Sequence, residues 1–129
     1  MLLIAGDWQF RALVRAQLIE TGYEVIAFPR LDVALAYLMR GPRREDGTQP
    51  AATIVDLTEL DASLAMLVDL WRLTDQAPLL LCGGILDRTL LQSEKLPPAH
   101  VLRRPFSVGD VVNEVRRIDR WSSSKAAGA

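Results

Sequence analysis

Residues 54–57 read IVDL, three apolar side chains with a single acid, Asp56, at the third position. Similar short apolar runs recur along the chain, and segments with apolar residues at helical spacing separate them. The five runs are residues 2–5, 23–28, 53–55, 79–82 and 101–102. This alternation predicts a five-stranded parallel sheet covered by helices on both faces.

Helices are predicted in each of the intervals between these runs. Apolar residues at helical spacing predict helices that end at Gly22, at Gly41 and before Pro78, and a fourth over about residues 86–93. Right-handed crossovers between the strands then give a three-layer α/β sandwich. In such a sandwich any functional site is expected at the carboxyl ends of the strands.

The fifth helix has the clearest start. Ser107 is followed three residues later by Asp110, a spacing that resembles a capping box, and an apolar stripe continues to about Trp121. Residues 1–121 are therefore expected to form one domain. Residues 122–129, SSSKAAGA, contain little to bury and are expected to be a disordered tail or a linker stub.

The composition excludes several classes of protein. With 129 residues, 50% hydrophobic and 24% charged, the chain fits one globular domain rather than a disordered or fibrous protein. Its net charge of -1 gives no field for nucleic acid or a membrane surface, and neither is expected as a partner. The lone cysteine, Cys82, and the lone histidine, His100, offer neither an internal disulfide nor a zinc cluster, which favours a reduced, cytoplasmic protein.

Three stretches, read together, resemble a known family. They are IVDL at 54–57, PLLLCGG at 78–84 and LRRPF at 102–106. In this order and at these intervals they resemble the receiver domain of two-component response regulators over residues 1–121. The resemblance implies a flavodoxin-like fold with strand order 2-1-3-4-5 and a signalling domain rather than an enzyme. It also makes Asp56 the equivalent of the phosphoacceptor aspartate.

The metal-binding residues of the family are incomplete in this sequence. Receiver domains hold Mg²⁺ with an acidic pair at the end of the first strand together with the acceptor aspartate, and the resemblance matches that pair to Ala5 and Gly6. Asp7 follows one position later. Asp7 and Asp56 therefore remain as the only nearby carboxylates for weak Mg²⁺ binding, which one or two carboxylates can support.

Three switch positions of the family are also altered. The resemblance matches the hydroxyl residue after the fourth strand to Gly83, the aromatic of the fifth strand to Val101 and the lysine to Arg104. A glycine cannot contact a phosphoryl group through a hydroxyl. Arginine can still pair with an anion, but its planar fork differs from a point-charge ammonium.

These losses favour a degenerate receiver, or pseudo-receiver, that acts through protein contacts with no cofactor. In this hypothesis Asp56 caps its loop or pairs with Arg104. The alternative is a working receiver, phosphorylated on Asp56 by a sensor histidine kinase with Mg²⁺. If Asp7 points into the site the alternative gains, and if it caps the first helix the pseudo-receiver gains. A small-ligand sensor is a third hypothesis, supported only by Arg104 and the Gly83-Gly84 turn.

The partner surface is predicted from surplus apolar residues around the fourth helix. These are Ile85, Leu86, Leu90, Leu91 and Leu96. Receiver domains commonly dimerise or dock partners through the face of helix four, strand five and helix five, so the residues suggest a homodimer, a protein partner or an attached output domain. The alternative, that all five belong to the core, is left open by the sequence.

Overall fold

The computed structural model describes residues 1–41, 50–58, 60–84 and 87–127, with side chains up to residue 121. Strands and helices alternate along these residues. The strands are β1 (Leu2–Ile4), β2 (Ile26–Phe28), β3 (Thr53–Asp56), β4 (Leu79–Gly83) and β5 (Ala99–Arg103). The helices are α1 (Trp8–Glu20), α2 (Leu31–Arg40), α3 (Leu64–Leu73), α4 (Arg88–Leu91) and α5 (Val108–Ala127).

The strands form one parallel sheet in the order β2-β1-β3-β4-β5. The predicted fold class and strand order are confirmed. In the register of the sheet, Asp56 of β3 lies opposite Cys82 of β4, and Gly83 of β4 lies opposite Arg103 of β5. The carboxyl ends of β3, β4 and β5 are therefore neighbours at one edge of the sandwich.

The core lies on both faces of the sheet because successive strand residues point to opposite sides. Leu80 and Cys82 face a cluster beneath α1 and α5, here the α1–α5 cluster. Leu79 and Leu81 face a second one beneath α2 and α3, the α2–α3 cluster. All four side chains are fully buried, and full burial of a large aliphatic side chain contributes roughly 1.5–3 kcal/mol. Burial on both faces explains why β4 has a continuous apolar sequence.

The connection from α1 to β2 contains the predicted left-handed glycine. Gly22 has a φ of 106°, and its amide donates a hydrogen bond to the carbonyl of Ile19. The next amide, of Tyr23, donates to the carbonyl of Leu18 and completes the end of the helix. Because Tyr23 is still bonded to the helix end, β2 begins only at Ile26 and not at residue 23 as predicted.

The fourth helix is shorter than the prediction over residues 86–93. It extends only over Arg88–Leu91, and residue 86 lies outside the described residues. A turn follows at once, in which the Ser93 hydroxyl accepts a hydrogen bond from the amide of Lys95. Serine side chains that bond to nearby amides in this way compete with helix formation.

The fifth helix begins as predicted and ends later. The Ser107 amide donates to Oδ2 of Asp110 at 2.8 Å, and the Asp110 amide donates to Ser107 Oγ at 3.1 Å, which confirms the capping box. The helix continues beyond Trp121 to Ala127, so the predicted end at about Trp121 is too early. Lysine and alanine favour helix, and extending an existing helix costs little. Within the described residues, no helix is both long and apolar enough to cross a membrane.

Candidate functional site

Asp56 is the last residue of β3, and its side chain is buried, with the residue only 1% exposed. Its Oδ1 accepts a hydrogen bond from the amide of Thr58 at 3.0 Å, which caps the loop after the strand. Its Oδ2 lies 3.5 Å from Nη2 of Arg104. The predicted pairing of Asp56 with Arg104 across the strand ends is therefore confirmed.

Arg104, directly after β5, joins three parts of this edge. Its amide donates to the carbonyl of Gly83 at 3.0 Å, and its Nε donates to Oγ1 of Thr58 at 2.9 Å. The guanidinium also lies 5.0 Å from the ring centroid of Phe106, a cation–π distance. The planar guanidinium of Arg104 reaches both Thr58 and Asp56 from fixed positions on one group. The ammonium of a lysine is a point charge and would not fix the directions of the two contacts.

The environment of Asp56 acts on its charge in both directions. Burial raises the pKa of the Asp56 carboxyl above its ordinary value, because a buried carboxylate loses hydration. The hydrogen bonds from Thr58 and the positive charge of Arg104 oppose this rise in pKa, while the negative charge of Asp87 adds to it. The negative charge of Asp56 is thus only partly offset by its neighbours.

Gly83 ends the neighbouring strand and Gly84 follows it, and a residue that sequence reasoning missed lies against them. The Gly84 amide donates to Oδ2 of Asp87 at 2.8 Å. A signal for this contact was present in the sequence, since Asp87 follows Gly84 at the same three-residue spacing as Asp110 follows Ser107. We call Asp56, Thr58, Gly83, Gly84 and Arg104 the strand-end crevice.

The residues after β1 do not fit a Mg²⁺ site of the receiver type. Asp7 is an exposed N-cap of α1, and its Oδ1 accepts hydrogen bonds from the amides of Gln9 at 2.9 Å and Phe10 at 3.3 Å. The carbonyl of Ala5 accepts a hydrogen bond from Nη1 of Arg11 at 2.7 Å, so a cation already stands at the end of β1. In the part of the chain that the structure describes, no group of three or more His, Cys, Asp or Glu could hold a metal ion.

The other predicted site residues that the structure describes lie on β5 and α4. Val101 lies within β5 and is 37% exposed. Leu90 and Leu91 of α4 are half-buried and pack against the α2–α3 cluster. Ile85 and Leu86 lie outside the described residues.

Cys82 is a buried core residue, as the sequence predicted. It belongs to the α1–α5 cluster. Burial, with a smaller contribution from the negative charge of Asp56, raises the pKa of its thiol to about 12. A thiol that stays protonated at neutral pH and is closed to solvent reacts slowly with oxidants and electrophiles.

The comparisons with known proteins agree with this fold. Neither a family model nor a curated protein matches the sequence. Among solved structures, the receiver domain of NtrX from Brucella abortus is 19% identical with a TM-score of 0.64, and the match covers 92% of this chain and 97% of that one. A response regulator receiver protein from Sinorhizobium medicae WSM419 is 14% identical with a TM-score of 0.67, and the match covers 92% of each chain.

This chain has the receiver-domain fold. A third solved structure has a similar fold and is described as belonging to a novel family of redox sensors in the streptococci that evolved from two-component response regulators. It is 13% identical with a TM-score of 0.76, and the match covers 99% of this chain but only 54% of that one. At these identities the likeness concerns the fold, and function has to be argued from the crevice.

Proposed function

We propose that this receiver-like domain acts in signal transduction through protein contacts and without Mg²⁺-dependent phosphorylation. One observation carries the proposal. The carboxylate of Asp56 is buried, its Oδ1 is bonded to Thr58 and its Oδ2 is paired with Arg104. The strand ends are thus joined by contacts within the protein itself.

The chemistry of phosphoryl transfer explains why this arrangement matters. A carboxylate that attacks phosphorus needs an oxygen that the donor can approach in line, and a cation has to neutralise the charge of the transferred group. Asp56 presents almost no surface for such an approach. The end of β1 presents the guanidinium of Arg11 rather than a pair of acids.

The test is incubation of the full chain with Mg²⁺ and acetyl phosphate, followed by intact-mass spectrometry. We expect an unmodified mass for the natural chain and for the Asp56→Asn variant. A receiver domain with a complete acidic pair, treated in the same way, checks that the donor is active. A phosphoryl adduct on the natural chain that disappears in Asp56→Asn would contradict the proposal and support the working-receiver alternative.

We infer further that the face of α4, β5 and α5 makes the protein contacts. β5 is an edge strand of the sheet, so one side of its backbone is open to pairing or packing. Val101 on this strand is 37% exposed. A surface groove of about 240 Å³ lies between β5 and α5, lined by His100, Arg117, Ile118 and Trp121. The mixture of apolar and basic groups suits a protein surface.

Self-association is the simplest form of this contact and can be measured by analytical ultracentrifugation over a range of concentrations. We expect the natural chain to self-associate and Val101→Lys to weaken that association. Leu13→Lys is the matched control, because Leu13 is also apolar and is 56% exposed, but on α1. A natural chain that stays monomeric, or equal effects of the two variants, would contradict a homodimer on this face.

A further inference from the structure

Asp87 immediately precedes α4 but does not cap it. Its side chain makes no hydrogen bond to the first turn of that helix. Instead its Oδ2 turns back to accept from the Gly84 amide at 2.8 Å, while its own amide donates to the Gly84 carbonyl at 3.1 Å. The two bonds hold Asp87 against Gly84, the residue that follows β4.

The carboxylate of Asp87 also occupies the space that a side chain at position 83 would need. A Cβ added to Gly83 would lie 3.0 Å from Oδ2 of Asp87 and 3.3 Å from its Cβ. Any larger residue at this position would press against the carboxylate. Gly83 and Asp87 are therefore complementary in shape, because the glycine leaves room for the acid.

Asp87 is electrostatically coupled to the strand-end crevice. Its negative charge acts on Asp56 in the same direction as burial does, whereas the charge of Arg104 opposes both. A Cβ on Gly84 would lie 3.6 Å from Cδ of Arg104, so the arginine stem lies in ordinary contact distance of this loop. Arg104 thus pairs with Asp56 through its guanidinium, and its stem lies beside Gly84, whose amide is already bonded to the carboxylate of Asp87.

We propose that Asp87 is a built-in anionic ligand of the strand-end crevice and keeps external oxyanions out of it. The carboxylate uses the amide donor of Gly84 and adds a negative charge beside the crevice, where an external oxyanion would otherwise bring one. Without that carboxylate, the same amide and guanidinium form a site for a small oxyanion such as phosphate. This inference goes beyond the proposed function, because it concerns what occupies the crevice and holds whichever partner the domain binds.

The test is a titration of ¹⁵N-labelled full-length protein with inorganic phosphate at constant ionic strength, followed by NMR. The amides of Gly84 and Thr58 report on the crevice. We expect saturable shifts in Asp87→Ala with an affinity at least about tenfold higher than in the natural chain, the effect of freeing one charge-assisted hydrogen bond. Asp32→Ala is the matched control, since it removes an exposed acid on α2 and should bind phosphate as the natural chain does.

A second variant, Asp87→Asn, keeps the shape and the acceptor oxygen but removes the charge. We expect its affinity for phosphate to lie between those of the natural chain and Asp87→Ala. If Asp87→Ala does not fold, Asp87→Asn decides the question by the same comparison. Equal phosphate affinity in the natural chain and the folded Asp87 variants, or no saturable shift at Gly84 in any of them, would overturn the proposal.

Discussion

After β4 and after β5, a backbone amide donates to the carboxylate of an aspartate three residues later, but the helices that follow differ greatly in length. In the β5–α5 loop the Ser107 amide donates to Oδ2 of Asp110 at 2.8 Å. In the β4–α4 loop the Gly84 amide donates to Oδ2 of Asp87, also at 2.8 Å. The first loop opens a helix of 20 residues, whereas the second precedes a helix of four.

The difference lies in the residue that donates. Ser107 returns a hydrogen bond through its hydroxyl, which accepts from the Asp110 amide and satisfies an otherwise unpaired donor of the first turn. Gly84 has no side chain with which to do this. In the β5–α5 loop the two residues therefore bond to each other in both directions and start a helix. In the β4–α4 connection Gly84 has no side chain that could accept a bond, and the carboxylate of Asp87 lies at the strand end instead.

The largest expected effect comes from filling the space between Gly83 and Asp87. Gly83→Val should lower the free energy of unfolding by about 2 kcal/mol, because the added side chain meets the Asp87 carboxylate. In an Asp87→Ala background the same change should cost clearly less, and urea unfolding of the four chains measures this coupling. Equal costs in the two backgrounds would show that Asp87 does not fill this space.

A smaller effect is expected from exchanging the hydroxyl between the two loops. Ser107→Ala should cost about 1 kcal/mol of stability, because α5 loses its N-cap acceptor. Gly84→Ser should change stability by less than about 0.5 kcal/mol, since its Cβ has ordinary room at 3.6 Å from Arg104. Both values can be read from thermal or urea unfolding. A larger loss in Gly84→Ser than in Ser107→Ala would break the comparison between the loops.

The smallest effect concerns the charge of Asp56 and depends on pH. Because burial raises its pKa in the folded state, Asp56 contributes most stability below the ordinary pKa of an aspartate, and that contribution is lost as pH rises through the raised value. Asp56→Asn removes this titration. We expect its stability relative to the natural chain to increase with pH, and the increase to be small because the bonds from Thr58 and the charge of Arg104 oppose the rise in the pKa.

Urea unfolding of both chains at about pH 4.5 and pH 8 measures that difference. A stability difference that stays constant, or that falls as pH rises, would contradict the assigned direction of the pKa. The same measurement shows whether the ionised carboxylate of Asp56 lowers the free energy of unfolding of the natural chain.

The fold could be predicted because its three central strands, β1, β3 and β4, are buried on both faces. Burial on two sides demands continuous apolar runs, and five of them separated by helical spacing leave few arrangements. The pair of Asp56 and Arg104 could also be predicted, since both lie at the carboxyl ends of strands of one parallel sheet. The Ser107 capping box was visible for a different reason, because it is a local pattern of two residues.

The missed residues depend on contacts that local patterns do not report. Asp87 falls inside the segment where a longer fourth helix was expected, and in such a helix its carboxylate would have faced the first turn rather than Gly84. The role of Thr58 as a partner of Arg104 depends on a contact 46 residues apart in sequence. The length of α5 was underestimated because the sequence of its last residues, SSSKAA, contains no apolar stripe from which a helix could be predicted.

The hydrogen bond from Arg11 to the carbonyl of Ala5 sets a condition for engineering. Its half-buried guanidinium is anchored at the end of β1, 2.7 Å from that oxygen. Acids introduced at positions 5 and 6 would come within reach of this cation and would form an ion pair with it in competition with Mg²⁺, which sheds water reluctantly. A redesign that restores metal binding therefore has to remove a positive charge as well as add negative ones.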